Sequence, residues 1–130
     1  MIHADSFRFD IVDRVMLIVH ADVPPSDADW RRMVVVRDAN RDKIRSNLVI
    51  APPRASINPS QRADVAQFMR ENGTSIAVVT DSALIRGVAL AVGFLGLKVR
   101  AFAPSELASA LNFLVMPPSK HADMARPNGH

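Results

Sequence analysis

The sequence predicts an α/β domain in which a mostly parallel sheet, with an antiparallel edge at its N-terminal side, is flanked by helices. Three observations carry this. Short continuous apolar runs of strand length recur along the chain: Val15–Val19, Asn47–Ala51 and Ser75–Val79. Runs of that kind suit strands buried on both faces. Segments of helical length separate them, so successive strands are joined by crossovers and run parallel. Only the first run has another candidate strand close before it, which makes a hairpin. The length of 130 residues fits one domain with a core of its own.

Taken in order, Phe7–Val12 alternates loosely and is the first strand, Asp13-Arg14 is a turn, and Val15–Val19 is the second strand. Pro24-Pro25 ends that hairpin. Ser26 reads as an N-cap, with Asp27 and Asp29 in the first turn where carboxylates suit the helix dipole. Trp30, Met33, Val34 and Ile44 would face inward from a helix reaching about Arg45. The β-branched run Val34-Val35-Val36 is a poor helix feature, and a short strand at Met33–Arg37 competes with the helix. After the strand Asn47–Ala51 comes a loop over Arg54–Pro59. Ser60 or Asn58 could cap the next helix, with Pro59 at or near its first position. Val65, Phe68 and Met69 give that helix an apolar stripe, and Asn72-Gly73 stops it.

The strand Ser75–Val79 is followed by the polar caps Thr80-Asp81-Ser82. Ala83–Leu95 is then a helix apolar almost all round, and Gly96 ends it. Lys98–Phe102 alternates as a short strand. Pro104-Ser105-Glu106 opens a last helix carrying Leu107, Ala110, Leu111 and Leu114 on one stripe, and Pro117-Pro118 closes it. The order is β-β-α-β-α-β-α-β-α in a single domain over 1–116. The polar, Pro- and Gly-containing stretch 117–130 reads as a disordered tail.

Composition narrows the function classes. At 48% hydrophobic and 22% charged, the chain is ordinary for a globular domain. The net charge of +3 gives no strong steering field, and the cations are scattered rather than clustered. Around Arg31–Arg45 they interleave with Asp38 and Asp42, as on a solvated helix face; this argues against nucleic acid as a partner. The chain has no cysteine, which excludes disulfides, thiolate metal sites and thiol catalysis. Met1–Asp5 lacks a signal-peptide pattern, and no run reaches the roughly 18 apolar residues of a membrane span. A cytoplasmic protein without membrane attachment is the expectation.

The second half sharpens the reading. Ile76-Ala77-Val78-Val79-Thr80-Asp81-Ser82 running into Ala83-Leu84-Ile85-Arg86-Gly87-Val88, followed by Val99-Arg100-Ala101-Phe102-Ala103-Pro104-Ser105-Glu106-Leu107, resembles the STAS (sulfate transporter and anti-sigma-factor antagonist) and SpoIIAA-like domain proteins. The stand-alone bacterial members, notably those of myxobacteria, are the most similar. The helix with Trp30 and the helix start Pro59-Ser60-Gln61-Arg62 fit the same family, so the likeness spans about residues 7–115. It implies a non-enzymatic regulatory module that acts through a protein partner or a second copy of itself. It also implies a phosphorylatable Ser or Thr at the start of the second long helix. By position that residue is Ser60, with Ser56 second. The residues around Ser60 depart from the antagonist pattern, because Asn58-Pro59 precede it where that pattern has an acidic residue. Capping the helix is the competing role for this serine.

Two further clusters are candidates. Thr80, Asp81 and Ser82 sit at a strand's carboxyl end before a helix, where ligands collect in open α/β sheets and where free N–H groups favour anions. Arg86, one turn on, could pair a phosphate or carboxylate, although Asp81 could occupy those donors itself. No Gly-rich phosphate loop is present. The Ala83–Leu97 segment has more apolar surface than one sheet can cover. Leu84, Val88, Val92 and Leu95 would form a surplus face for a partner or homodimer, unless the first and last helices or the tail cover it.

Catalysis finds few parts. His20 lies beside Asp22 and could be imagined with Ser56 or Ser60, but no nucleophile elbow is present and no acidic pair has acid/base spacing. No catalytic, metal or cofactor site is expected. The alternative to the regulatory module is a small-molecule or lipid-binding domain with an anion site at Thr80–Arg86.

Overall fold

The computed structural model describes residues 1–114. The helix stop expected at Pro117-Pro118 and the tail expected over 117–130 lie outside the described residues. Strands β1 (Ile2–His3), β2 (Phe7–Val12), β3 (Val15–His20), β4 (Ser46–Ile50), β5 (Ser75–Val79) and β6 (Val99–Phe102) form one sheet in chain order. The first three pair antiparallel, and β3 through β6 pair parallel. The general α/β expectation therefore holds, with one strand, β1, that the sequence did not announce. β1 is too short to leave a hydropathy pattern and pairs only through Ile2 and His3.

Helices α1 (Asp27–Ala39), α2 (Pro59–Asn72) and α3 (Ala83–Gly93) connect the parallel strands, and α4 (Leu107–Phe113) follows β6. Sequential strand order with crossovers of one hand puts successive connecting helices on one side of a sheet. Side-chain packing agrees. Phe7, Phe9, Met16 and Ile18 meet Trp30 and Met33 of α1 and Phe68 of α2. Ile85 of α3 packs with Ala51 and Ala55 on the same side, against Val49 and Val78. The alternate residues Leu17, Leu48, Ala77 and Phe102 face the other way and meet Ala110, Leu111 and Leu114 of α4. Period-two alternation thus splits the apolar strands into two cores. One is covered by three helices and the other by α4.

Local chemistry accounts for the boundaries. Asp13 and Arg14 both have positive φ (49° and 68°), the backbone of a two-residue hairpin turn that matches strand twist. The Arg14 carbonyl accepts from the Arg45 N–H at 2.8 Å, which joins the hairpin to the chain entering β4. α1 starts at its Ser26 cap and ends earlier than expected. The Asn40 side chain donates to the Val36 carbonyl, and Arg41–Lys43 is a separate 3-10 turn rather than a continuation to Arg45. The competing strand at Met33–Arg37 does not form. Helical spacing lets Trp30, Met33 and Arg37 bury one stripe, and that outweighs the β-branched run.

The α2 cap is Asn58, not Ser60. Asn58 Oδ1 accepts from the Gln61 N–H at 2.8 Å, and Gln61 Oε1 accepts from the Asn58 N–H at 3.0 Å, a reciprocal capping box. Gly73, at φ 62°, closes the helix. α3 ends at Gly93, before the expected Leu95, and Gly96 takes φ 84° in the turn beyond.

Candidate functional site

Between the three-helix side of the sheet and α2 and α3 lies a chamber of about 130 Å³. Its origin is legible in the side chains. Val49 and Val78 of the sheet, Ala51 and Ala55 after β4, and Ala89 of α3 stand where larger core residues would fill the space. Met16, Ile18, Phe68 and Met69 close other walls, and Ile85, Val88 and Val92 present α3 to the interior. The lining is therefore overwhelmingly apolar. Preformed apolar space with few polar groups is the usual form of a small-molecule site.

Asn47 lines the wall and donates through Nδ2 to the Ser75 carbonyl at 3.3 Å; the other polar groups fall into two sets. Arg37, from α1, is buried and already paired. Its Nη1 and Nη2 reach Asp64 of α2 at 2.7 and 2.9 Å, and its Nε reaches Asp38 at 3.1 Å. The guanidinium lies 4.3 Å from the Phe68 ring centroid, and Trp30 Nε1 donates to the same Asp64 at 3.0 Å. Burial works against both charges, but the mutual hydrogen bonds and attraction prevail, holding the Asp64 carboxyl below its usual range and the Arg37 guanidinium above its own. This clamp joins α1 to α2 across the roof of the chamber.

The second set lies at the carboxyl ends of β3 and β4. His20 ends β3 and is 7% exposed, with its ring 5.4 Å from that of Phe7. Burial pushes its pKa down to about 4, so the imidazole is neutral at pH 7. Its Nδ1 is buried with no hydrogen-bond partner among the described residues. Ser56, half-buried, and Arg62, in the first turn of α2, complete this end of the wall. Arg62 Nη1 donates to the Ile57 carbonyl at 3.1 Å.

The residues singled out from sequence are dispersed. Ser60 is exposed in the first turn of α2, away from any hydrogen-bonding role as its cap. Ser56 lines the chamber. Thr80 is 1% exposed, and its Oγ1 accepts from the Ser82 N–H at 3.1 Å. Ser82 Oγ accepts from the Ile85 N–H at 3.2 Å, so both hydroxyls serve the start of α3 itself. Asp81 and Arg86 are exposed, and none of these four residues lines the chamber.

The expected α3 face divides. Leu84 and Leu95 are 67% and 66% exposed, whereas Val88 and Val92 are half-buried and line the chamber. Leu90 and Phe94, not included in that expectation, are exposed beside them. α4 cannot cover this face, because it packs on the opposite side of the sheet. His20 and Asp22 do not form a triad. Asp22 Oδ1 accepts from the Arg54 N–H at 2.9 Å, while His20 Nδ1 has no carboxylate.

No protein-family model matches the chain, and no curated protein or solved structure matches it significantly. Fold and site by themselves define an α/β domain with a mixed six-stranded sheet and an apolar chamber between the sheet and its helices. Among the described residues no helix is long and apolar enough to cross a membrane.

Proposed function

We propose that this protein is a non-enzymatic binding module whose ligand is a small, mainly apolar molecule held in the chamber between the sheet, α2 and α3. The observation that carries the reading is the chamber itself: about 130 Å³ with valine, alanine, methionine and phenylalanine walls. Apolar space of this kind is costly to leave open to water, since each Å² of apolar wall that is buried returns roughly 25 cal/mol. A ligand that fills it recovers the lost contacts.

Toluene is a suitable probe. It should raise the unfolding midpoint of the wild-type protein saturably, as mass action on the folded state requires. Ala89→Leu extends a side chain from α3 into the chamber. It should weaken toluene binding at least tenfold while leaving stability equal or higher, because filling a void commonly adds about 0.5–2 kcal/mol. Unchanged toluene affinity in Ala89→Leu, or no binding to the wild type, would count against the chamber as the site.

A second reading is favoured by a separate observation, the exposed side chains of Leu84, Leu90, Phe94 and Leu95 on and just after α3. It is the STAS-type regulatory module of a bacterial cytoplasm, pairing with a protein partner or a second copy and switched at Ser60. The exposure of Ser60 supports a modifiable position. If the face pairs two copies, light scattering should give a dimer that Phe94→Glu converts to folded monomer. A wild-type monomer at high concentration would remove the homodimer form of this reading.

A further inference from the structure

We infer that the ligand of the chamber is a small uncharged molecule, largely apolar but carrying one hydroxyl or N–H donor, and that His20 Nδ1 accepts that donor. The inference rests on the binding reading above and adds the chemistry of the ligand to it.

Buried polar groups are almost always hydrogen-bonded, and an unpaired one is costly. His20 lines the chamber, is 7% exposed, and has a buried Nδ1 with no partner among the described residues. No hydrogen bond from a neighbouring group among the described residues reaches it. Phe7 packs on the ring, and Asp22 is an acceptor engaged with the Arg54 N–H. The imidazole is neutral at pH 7, so Nδ1 keeps a lone pair when the proton sits on Nε2. The other buried unpartnered atom, Thr74 Oγ1, is not on the chamber wall.

Charge and size restrict the ligand further. No Asp or Glu lines the chamber, so a cationic group would enter unpaired. Arg37 is occupied by Asp64 and Asp38, and Arg62 donates to the Ile57 carbonyl, so neither guanidinium is left wholly unengaged for an anionic head. The chamber volume is about 130 Å³, and an apolar protein cavity of about 150 Å³ is known to hold benzene. The fit is a single aromatic ring or a compact aliphatic skeleton with one donor, of which simple phenols are the type.

Toluene and p-cresol have nearly the same shape and differ by a hydroxyl. Titrated into the full chain at pH 7, p-cresol should bind about tenfold tighter than toluene, the value of one net hydrogen bond. The His20 ring ¹⁵N resonances should move with p-cresol and stay nearly fixed with toluene. In His20→Leu the preference should fall to unity or below while toluene still binds. If that variant does not fold, the ¹⁵N measurement on the wild type decides alone. Equal affinities, or bound p-cresol with an unmoved His20 resonance, overturn the hydrogen bond and leave the chamber reading standing. Failure of both probes to bind overturns the chamber reading and this inference with it.

Discussion

Asp64→Ala should destabilise the protein by about 3 kcal/mol, at the low end of the roughly 3–5 kcal/mol expected when one member of a buried ion pair is removed. The Arg37 side chain is 7% exposed and Asp64 is 29% exposed. Deleting the carboxylate leaves the guanidinium with Asp38 and the Phe68 ring, and leaves Trp30 Nε1 without its acceptor. The reverse deletion, Arg37→Met, should cost less, because Asp64 is open enough to regain water. The double variant Arg37→Met/Asp64→Leu should recover most of the loss of Asp64→Ala, since apolar replacement of a buried pair is often neutral or better. Urea midpoints at constant m-value measure all three. A loss below about 1 kcal/mol in Asp64→Ala would mean that the clamp contributes little more than a surface pair. Because the clamp joins α1 to α2, the same variant should also weaken toluene binding by loosening the chamber roof.

The strand and helix order was readable because the strands are short, continuous and apolar, and because polar caps and Gly or Pro separate them. Thr80-Asp81-Ser82 and Asn72-Gly73 mark boundaries by chemistry that acts within a few residues. What the sequence left open or placed differently depends on longer range. Ile44 looked like the end of an amphipathic α1, but it is buried beside β4 after a separate 3-10 turn. The choice between Ser60 and Asn58 as cap turned on Gln61, whose side chain both returns to Asn58 and reaches the Pro25 carbonyl at 3.1 Å. That second contact crosses from one loop to another and leaves no local pattern.

The site was less legible than the fold for a physical reason. A chamber is made by what is missing from several elements at once. Ala51, Ala55 and Ala89 are unremarkable one by one, and only strand register and helix placement bring them around one space. The surplus of apolar residues on α3 was visible, but its division was not. Val88 and Val92 are drawn to the chamber by the crossover geometry, while Leu84, Leu90 and Phe94 face outward. In the sequence His20 lies beside Asp22. Its isolation from Asp22 follows from Arg54, whose backbone N–H takes that carboxylate. Arg37 and Asp64 lie far apart in sequence with no motif between them, so their pairing was visible only in three dimensions.

Acidification should cost stability well above the pH at which carboxylates titrate, and His20 is the reason. In the unfolded chain this histidine has a pKa of 6.5, and in the folded protein burial lowers it to about 4. Between those values the unfolded state holds a proton that the folded state refuses. Stability therefore rises with pH through this window and is fully present above it. Falling from pH 7 to 4 should remove about 3 kcal/mol, a large share of the total for a domain of this size. The loss from Asp64 and Asp29 lies lower, because their folded values are held below 3.8 by Arg37 and by the Ser6 hydrogen bonds respectively, and protonating them only then releases those partners. His20→Gln keeps a polar side chain that never charges, and should flatten the unfolding midpoint between pH 7 and 4 without moving the steeper acid limb below it. A wild-type midpoint constant over that window would show that the ring is solvated in the folded protein, and would remove the buried acceptor on which recognition of a hydroxyl depends. A donor-bearing ligand should deepen the same dependence, since it binds only the unprotonated ring. Its affinity should change little from pH 7 to 5 and fall once the ring protonates near pH 4.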